Sequence, residues 1–492
     1  MKLLLDTNIL IPSEPTDTAH LHPDTEQALK LAQLSNRAAV QSYVHPALLF
    51  DIDRDTDASR RELRGLQFRK YPELAKPPAV SPGLSALLGP SVQGDNDWVD
   101  HQLLAALDGD AVDYLITNDR RLHAKAQKAL LKDRILTLAE AIGVLQALFD
   151  KIPVPPPAVR ALTAYQLSDS DPIFDSFRED YADYDDWLSK CKREHRKAWM
   201  IEGDESRYAA ICIVNPETDD LGLRGEVLKV CSLKVAEAYA GLRYGELLLK
   251  TVFHYAGQNS YDWLYITVFE KYDVLLRLLQ DFGFSELSSR TTREELQLIK
   301  PLSFQDLDEV SIAPLEFNIR YGPFAVKFAG VDSYIVPIRP EYHRMLFPDA
   351  EEQLELMPGR HGFGNSIRKA YLYQAPIRAI KAGDILFFYK SGDTGSMTTF
   401  GVSEATLVSA EADEIARFVG KRTVYSYREI QWFCETDVLA ILFRHAGVLK
   451  EPIPLPILME NGVLARAPQS IQSVRREARS WLYAQVKQRL PF

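Results

Sequence analysis

VLKVCSLKVAEAYAGLRYGELLLKTVFHYA, residues 227–256, passes from a strand through a tight loop into a helix. Its first third is apolar and rich in Val and Leu, as a buried strand requires. Gly241 and Gly245 punctuate the loop, and Leu247, Leu248, Val252, Phe253 and Ala256 then recur at helical spacing. Glycines at these positions let backbone amides come close to a pyrophosphate, and the start of the following helix adds a favourable dipole.

Working outward, WLYITVF (263–269) reads as a further strand and LLRLLQDFGFSEL as a helix ending at Gly283-Phe284. Upstream, helical text (DPIFDSFREDYADYDDWLSKCKREHR) precedes the strands KAWMIEG and YAAICIV, so this segment is expected to be α+β. Before it, IPVPPP (152–157) can be neither helix nor inner strand, because each proline lacks an N–H and restricts its predecessor. The chain therefore reads as multidomain: an α/β domain at 1–150, a Pro-rich linker at 151–157, an α+β domain at 158–300 and a small β-barrel with a closing C-terminal helix at 315–492. The first of these alternates short apolar strands (KLLLDTNIL, DYLITND) with helical stretches, the pattern of a parallel sheet. The last carries short strands such as DILFFYKS and TTFGVSEAT between Gly and Asp turns.

With 492 residues the chain exceeds the size of a single core, and 46% hydrophobic against 25% charged residues is a globular balance. No apolar run reaches the about 18 residues of a bilayer span, and the N-terminus has no signal-type block, so a cytoplasmic location is expected. Cys191, Cys212, Cys231 and Cys434 lack paired short spacings and read as reduced thiols, with neither a disulfide framework nor a zinc site. The net charge of −11 argues against a protein that coats nucleic acid over its whole surface. Residues 320–492 hold 22 Lys+Arg against 18 Asp+Glu, so a phosphate-binding face belongs in the last third.

In the first domain Asp6 ends the opening strand, Asp119 follows the strand YLITN, Asp100 begins a helix, and Asp51 lies at the end of YVHPALLF. Strand ends of a parallel sheet converge on the ligand-binding edge, where four carboxylates repel one another unless a divalent cation joins them. Hard oxygen donors favour Mg²⁺ or Mn²⁺. Leu5-Asp6-Thr7-Asn8, Asp51, Asp-His-Gln-Leu-Leu-Ala-Ala from Asp100 and Thr117-Asn118-Asp119 together resemble the PIN-domain ribonucleases. That resemblance implies metal ligation and catalysis by Asp6, Asp51, Asp100 and Asp119, supported by Asn8, Asp97, Thr117 and Asn118. The family usually carries Glu at the second position, whereas this chain has Asp51 with Asp53 and Asp55 near it. The plainer alternative is that these aspartates are helix caps and turn residues.

The loop of residues 240–246 resembles the acetyl-CoA signature of the GNAT acetyltransferases, implying cofactor contacts from Leu233, Val235, Gly241, Leu242, Arg243, Tyr244, Gly245 and Glu246. Ala240 stands where that family has Gln or Arg, Arg243 where it has a glycine, and Leu279 where it commonly has a tyrosine acid. Glu226 and Glu237 are candidate bases. Ile-Lys-Ala-Gly-Asp-Ile-Leu-Phe-Phe-Tyr (380–389) resembles PUA-like barrels of the ASCH and EVE groups, which implies RNA binding. Arg368, Lys369, Tyr371, Tyr373, Arg378, Lys390, Lys421, Arg422, Tyr425 and Tyr427 would contact phosphates and stack on bases, or else form a solvated face and a barrel core.

Taken together, these resemblances imply a metal-dependent endoribonuclease with RNA, tRNA included, as partner. A toxin paired with an antitoxin protein is one setting, and a homo-oligomer is compatible with it. One rival is an acetyltransferase acting on RNA, aminoacyl-tRNA or a protein amine over an inactive PIN fold. Another is a non-enzymatic RNA-binding regulator.

Overall fold

The computed structural model describes residues 1–13, 22–149, 159–203, 207–218, 221–304, 311–350, 366–374, 379–392 and 395–490. They divide into two units: Met1–Lys151 with Ser409–Thr436, and Ile152–Val408 with Asp437–Phe492. The expected linker at 152–157 lies outside the described residues.

In the first unit β1 (Lys2–Leu5) lies between β2 (Gln41–Tyr43) and β3 (Tyr114–Ile116), with β4 (Ile135–Leu136) beyond β3. All three pairings are parallel. Leu3, Leu4, Leu5, Tyr114, Leu115 and Ile116 are buried, as strands covered on both faces must be. The connecting helices are α1 (Thr7–Ser13), α2 (Thr25–Arg37), α3 (Leu48–Asp53), α4 (Ala58–Phe68), α5 (Pro82–Leu88), α6 (Asn96–Asp108), α7 (Arg120–Lys128) and α8 (Leu138–Phe149). Asp95 starts α6 by accepting the Trp98 N–H at 2.6 Å, and the helix then buries Leu103, Leu104 and Leu107.

Residues 409–436 leave the expected C-terminal domain and complete this first unit. Their helix Ala412–Val419 packs near Tyr114, whose hydroxyl donates to the Arg417 carbonyl at 3.1 Å. Arg417 reaches Asp113 at 3.3 Å, Arg422 reaches Asp133 at 3.1 Å, and the Phe149 and Tyr427 rings lie 5.1 Å apart.

The second unit holds two sheets. The larger runs β10-β11-β9-β8-β7-β6-β5, with β5 Val159–Thr163, β6 Lys197–Glu202, β7 Tyr208–Pro216, β8 Val227–Val235, β9 Trp263–Val268, β10 Ser285–Arg290 and β11 Leu296–Pro301. Only β8 and β9 pair in parallel; the other pairings are antiparallel. Helices α9 (Asp175–Asp180), α10 (Tyr184–Arg193), α11 (Tyr244–Gln258) and α12 (Asp273–Asp281) accompany it. Leu248, Val252 and Phe253 of α11 are buried with Leu228, Val230, Leu264 and Ile266 of β8 and β9. The expected α+β segment is thus present with its strand, loop and helix in the expected order.

The smaller sheet runs β13-β16-β15-β14-β12-β17, with β12 Ser333–Ile338, β13 Arg368–Tyr373, β14 Ile385–Lys390, β15 Ser396–Ser409, β16 Val438–Pro454 and β17 Gln472–Ser473. A closed barrel was expected here; the order has two ends, β13 and β17, among the described residues. The closing helix Arg476–Gln488 buries Ala478, Leu482 and Val486 against this sheet, as its apolar stripe requires. Lys300 of β11 is fully buried, and its ammonium donates to the carbonyls of Ile319 and Arg320, at the end of the helix Pro314–Tyr321, at 3.0 and 2.8 Å.

Candidate active sites

Strands β8 and β9 are paired from Val227 with Trp263 to Val230 with Ile266, whereas β8 continues to Val235 on its other partner, β7. Beyond Val230 and Ile266 that pairing ends while β8 continues to Val235 and β9 to Val268, so the two strands part towards their C-terminal ends. A short turn, Glu237–Tyr239, follows β8 and leads into α11. Gly241 has φ +79° and Arg243 φ +60°, so Arg243 keeps the left-handed backbone that a glycine would take without cost. A Cβ on Gly245 would stand 3.0 Å from a Leu278 methyl, so that side chain would have to give by a few tenths of an ångström.

Arg243 and Glu246 do not face solvent. The Arg243 guanidinium holds Glu246, with Nε at 2.8 Å, and also donates to the Arg368 carbonyl at 2.9 Å. The other Glu246 oxygen accepts the N–H groups of Ile367 and Arg368, both at 2.8 Å. Burial opposes the Glu246 charge, but Arg243 and the Arg368 amide outweigh it and hold the carboxyl below the usual range. The first turn of α11 fits a pyrophosphate through backbone amides, because a helix start leaves its N–H groups without acceptors inside the helix. The two charged side chains of that turn are already committed to each other.

Around the open ends of β8 and β9 sits a polar cluster that sequence reading missed. Tyr181 donates to Glu295 at 2.5 Å, and Thr267 and Thr291 donate to the same carboxylate at 3.2 and 3.0 Å. Asp180 accepts from Lys271 and from the Tyr272 hydroxyl. Lys234 lies 5.9 Å from the Tyr272 ring centroid, and burial pulls its ammonium pKa down. These residues come from four distant stretches of chain, and no local spacing joins them. Of the candidate bases, Glu226 precedes β8 at the opposite end of that strand, whereas Glu237, exposed in the turn, acts by its charge on Lys234 of the cluster. Leu279 is a core residue.

In the first unit Asp6 lies at the C-terminal end of β1, 6% exposed. Its carboxylate accepts the Thr7 N–H at 2.7 Å, the Asn8 amide at 2.7 Å and the Thr117 hydroxyl at 2.6 Å. Asn8 accepts the Asn118 N–H at 3.0 Å, so the four supporting residues except Asp97 form one network with Asp6. Burial pushes the Asp6 carboxyl up to about 6, helped by the charges of Asp100 and Asp119 and opposed by the Thr117 and Thr7 hydrogen bonds. Asp119 also caps α7 by accepting the Arg121 N–H at 2.7 Å.

Two expectations for this set are not met. The Lys125 ammonium lies 2.7 Å from Asp100 and 2.6 Å from Asp97, so those carboxylates already have a cation. Asp51 is paired with Arg54, which also reaches Asn96, and Asp55 is paired with Arg60 and Arg64. Among the described residues no three His, Cys, Asp or Glu side chains come together as a metal ion requires. As arranged, the donor set does not fit Mg²⁺ or Mn²⁺.

The expected RNA face is also largely committed elsewhere. Arg368 pairs with Asp281 and Glu404 at 3.0 Å, Lys369 is 1% exposed, and Tyr371 is buried with its hydroxyl on the Pro337 carbonyl. Tyr373 donates to the Gln469 carbonyl and Tyr427 to Asp413. Tyr425 and Arg422 are buried in the first unit. Lys390 is partly exposed at the end of β14; Arg378 and the Lys421 side chain lie outside the described residues. Most of the described residues expected to contact phosphates and bases are therefore engaged within the protein. The four cysteines are unpaired by any disulfide, and burial raises the Cys231 and Cys434 thiols to about 11. No helix among the described residues is long and apolar enough to cross a membrane.

Residues 162–284 match the acetyltransferase (GNAT) family, so the chain contains a domain of that family. No curated protein matches the chain. Similar solved structures include a GNAT family acetyltransferase from Elizabethkingia anophelis with acetyl-CoA bound (18% identity, 30% of this chain and 97% of that one, TM-score 0.23). A GNAT acetyltransferase from Staphylococcus aureus is similar at 15% identity (30% and 100%, TM-score 0.24). An ASCH protein from Zymomonas mobilis is similar at 16% identity (31% and 94%, TM-score 0.25).

Proposed function

We propose that the second unit is an acetyltransferase that moves an acetyl group from acetyl-CoA to an amine. The observation that carries this reading is the parting of β8 from β9 beside the glycine-containing turn, in the segment that matches the family. Leu233 and Val235 line the open edge of β8, and the turn from Gly241 to Glu246 offers amides to the pyrophosphate. Bound acetyl-CoA would supply the acetyl thioester. Glu295, held by Tyr181, Thr267 and Thr291, stands at the cleft as the proton acceptor for an incoming ammonium. Tyr272, at the start of α12, takes the place of the absent tyrosine at 279 and holds a proton at its Oη. Calorimetric titration with acetyl-CoA tests the binding step. Glu295→Gln is expected to lower kcat by about 10²-fold or more with little change in cofactor affinity. A flat titration would remove the proposal.

A second reading rests on the first unit, where Asp6, Asp100 and Asp119 act on one another at the ends of a parallel sheet. We infer that this edge engages RNA phosphodiesters in the manner the PIN resemblance implies, with an antitoxin protein as a partner. Binding of a divalent ion there requires Lys125 to give up Asp100. Mn²⁺ titration of the wild type against Asp6→Asn, followed by an RNA cleavage assay, decides it; equal responses from the two proteins end this reading.

A further inference from the structure

Strand β8 carries an amine where it parts from β9. Lys234 lies past Val230, the last β8 residue paired with β9, and between Leu233 and Val235. Successive side chains of a strand point to opposite faces. Leu233 and Val235 pack in the core that α11 covers, so Lys234 projects from the other face. Its ammonium sits there 5.9 Å from the Tyr272 ring centroid. That is the face of the polar cluster, where Tyr272 donates to Asp180 and the neighbouring Tyr181 to Glu295.

Lys234 differs from the other lysines near it. Lys271 is held by Asp180 and Lys229 by Glu217, whereas among the described residues the Lys234 ammonium makes no hydrogen bond and no ion pair. Glu237, Asp180 and Glu179 favour its charge from a distance and Lys271 opposes it, while burial outweighs them all and pulls its pKa down. A lysine without a counterion gives up its proton more readily than one in an ion pair, and only the neutral amine can attack a carbonyl carbon. The side chain is partly exposed, and its flexible four-carbon stem lets the nitrogen swing along the parted strands.

We propose that Lys234 is a self-acetylation site, its amine accepting the acetyl group of acetyl-CoA bound along β8 of the same chain. This inference rests on the acetyltransferase reading above. Glu237, in the turn that follows β8, takes the first proton and converts the ammonium to an amine. Lys234 Nζ then attacks the thioester carbon: a C–N bond forms, the C–S bond breaks, and a second proton passes from the nitrogen to the departing sulfur. The products are an acetylated lysine and free CoA, with the first proton released from Glu237 to water. Acetylation removes the positive charge beside Tyr272, so an ammonium entering the cleft meets one cation fewer.

The test incubates the full chain with acetyl-CoA and locates the label by peptide mass spectrometry, alongside calorimetric titration of the same sample. Lys234 is expected to take up acetyl at least about tenfold faster than Lys190 and Lys271, which are more than half exposed. At saturating acetyl-CoA the rate per chain is expected to stay constant when the chain concentration is raised about tenfold, as transfer within one molecule requires. The acetyl thioester of N-acetylcysteamine has no pyrophosphate to anchor it, and is expected to label Lys234 at least about tenfold more slowly at the same concentration. Four outcomes would overturn this inference and leave the acetyltransferase reading standing: acetyl-CoA that binds without labelling Lys234, a Lys234 rate no greater than that of the exposed lysines, a rate that rises with chain concentration, or equal labelling by the short thioester. A titration without heat ends both.

Discussion

At the scale of single residues, Arg243 combines a backbone cost with a side-chain gain. Its left-handed φ costs about 1 kcal/mol relative to glycine. Its guanidinium neutralises Glu246, which is 5% exposed and would otherwise be a buried charge without its cation. Breaking such a pair costs roughly 3–5 kcal/mol, so the second effect wins. Arg243→Gly, which restores the residue usual in the family, is expected to lower stability by about 2–4 kcal/mol in urea unfolding. Asp6 gives a prediction of the opposite sign with pH. Its folded pKa of about 6 lies above the ordinary 3.8, so the folded protein binds its proton more tightly than the unfolded chain. Stability from this group is full below pH about 4 and is lost as pH rises through about 6, by roughly 3 kcal/mol in metal-free protein. Asp6→Asn is expected to lack this loss, which unfolding curves at pH 4, 5, 6 and 7 measure as a difference from wild type.

At the scale of elements, the strand, turn and helix of residues 227–256 were legible because each signal is local: a Val-rich run, two glycines, then helical spacing. The Thr117-Asn118-Asp119 and Asp6-Thr7-Asn8 pieces were legible for the same reason, and they do meet, through Asn8 and Thr117. The cleft cluster was not, because Asp180, Glu295 and Tyr272 are brought together by packing across β8, β9 and β11. The engaged state of Arg368, Lys369 and Arg422 was hidden too, since a cation in a sequence looks the same whether it meets solvent or a buried carboxylate. Helix α11 depends on its apolar face: Leu248 is fully buried in the core beneath β8 and β9. Leu248→Ala is expected to cost about 2–5 kcal/mol and to weaken acetyl-CoA binding through the displaced turn, checked by thermal unfolding and by calorimetry on the same sample.

At the scale of the whole chain, the departure of Ser409–Thr436 from the C-terminal sheet is the least legible feature. Nothing in its composition separates it from its flanks, and only the contacts of Tyr114, Asp113 and Asp133 reveal where it belongs. The strands on either side of it, β15 and β16, are neighbours in one sheet, so a short turn can replace the excursion. Such a deletion is expected to lower the melting transition of the first unit and leave that of the second in place, as two transitions in calorimetry will show.

The same arrangement sets an order on biosynthesis. A ribosome releases the first 151 residues long before it has made the helix that packs on Tyr114, so the leading part of the nascent polypeptide must wait, incompletely shielded, until more than half of the remaining message has been translated. Chains cut short before that point would carry an uncovered apolar surface, the kind of species that chaperones bind and proteases clear.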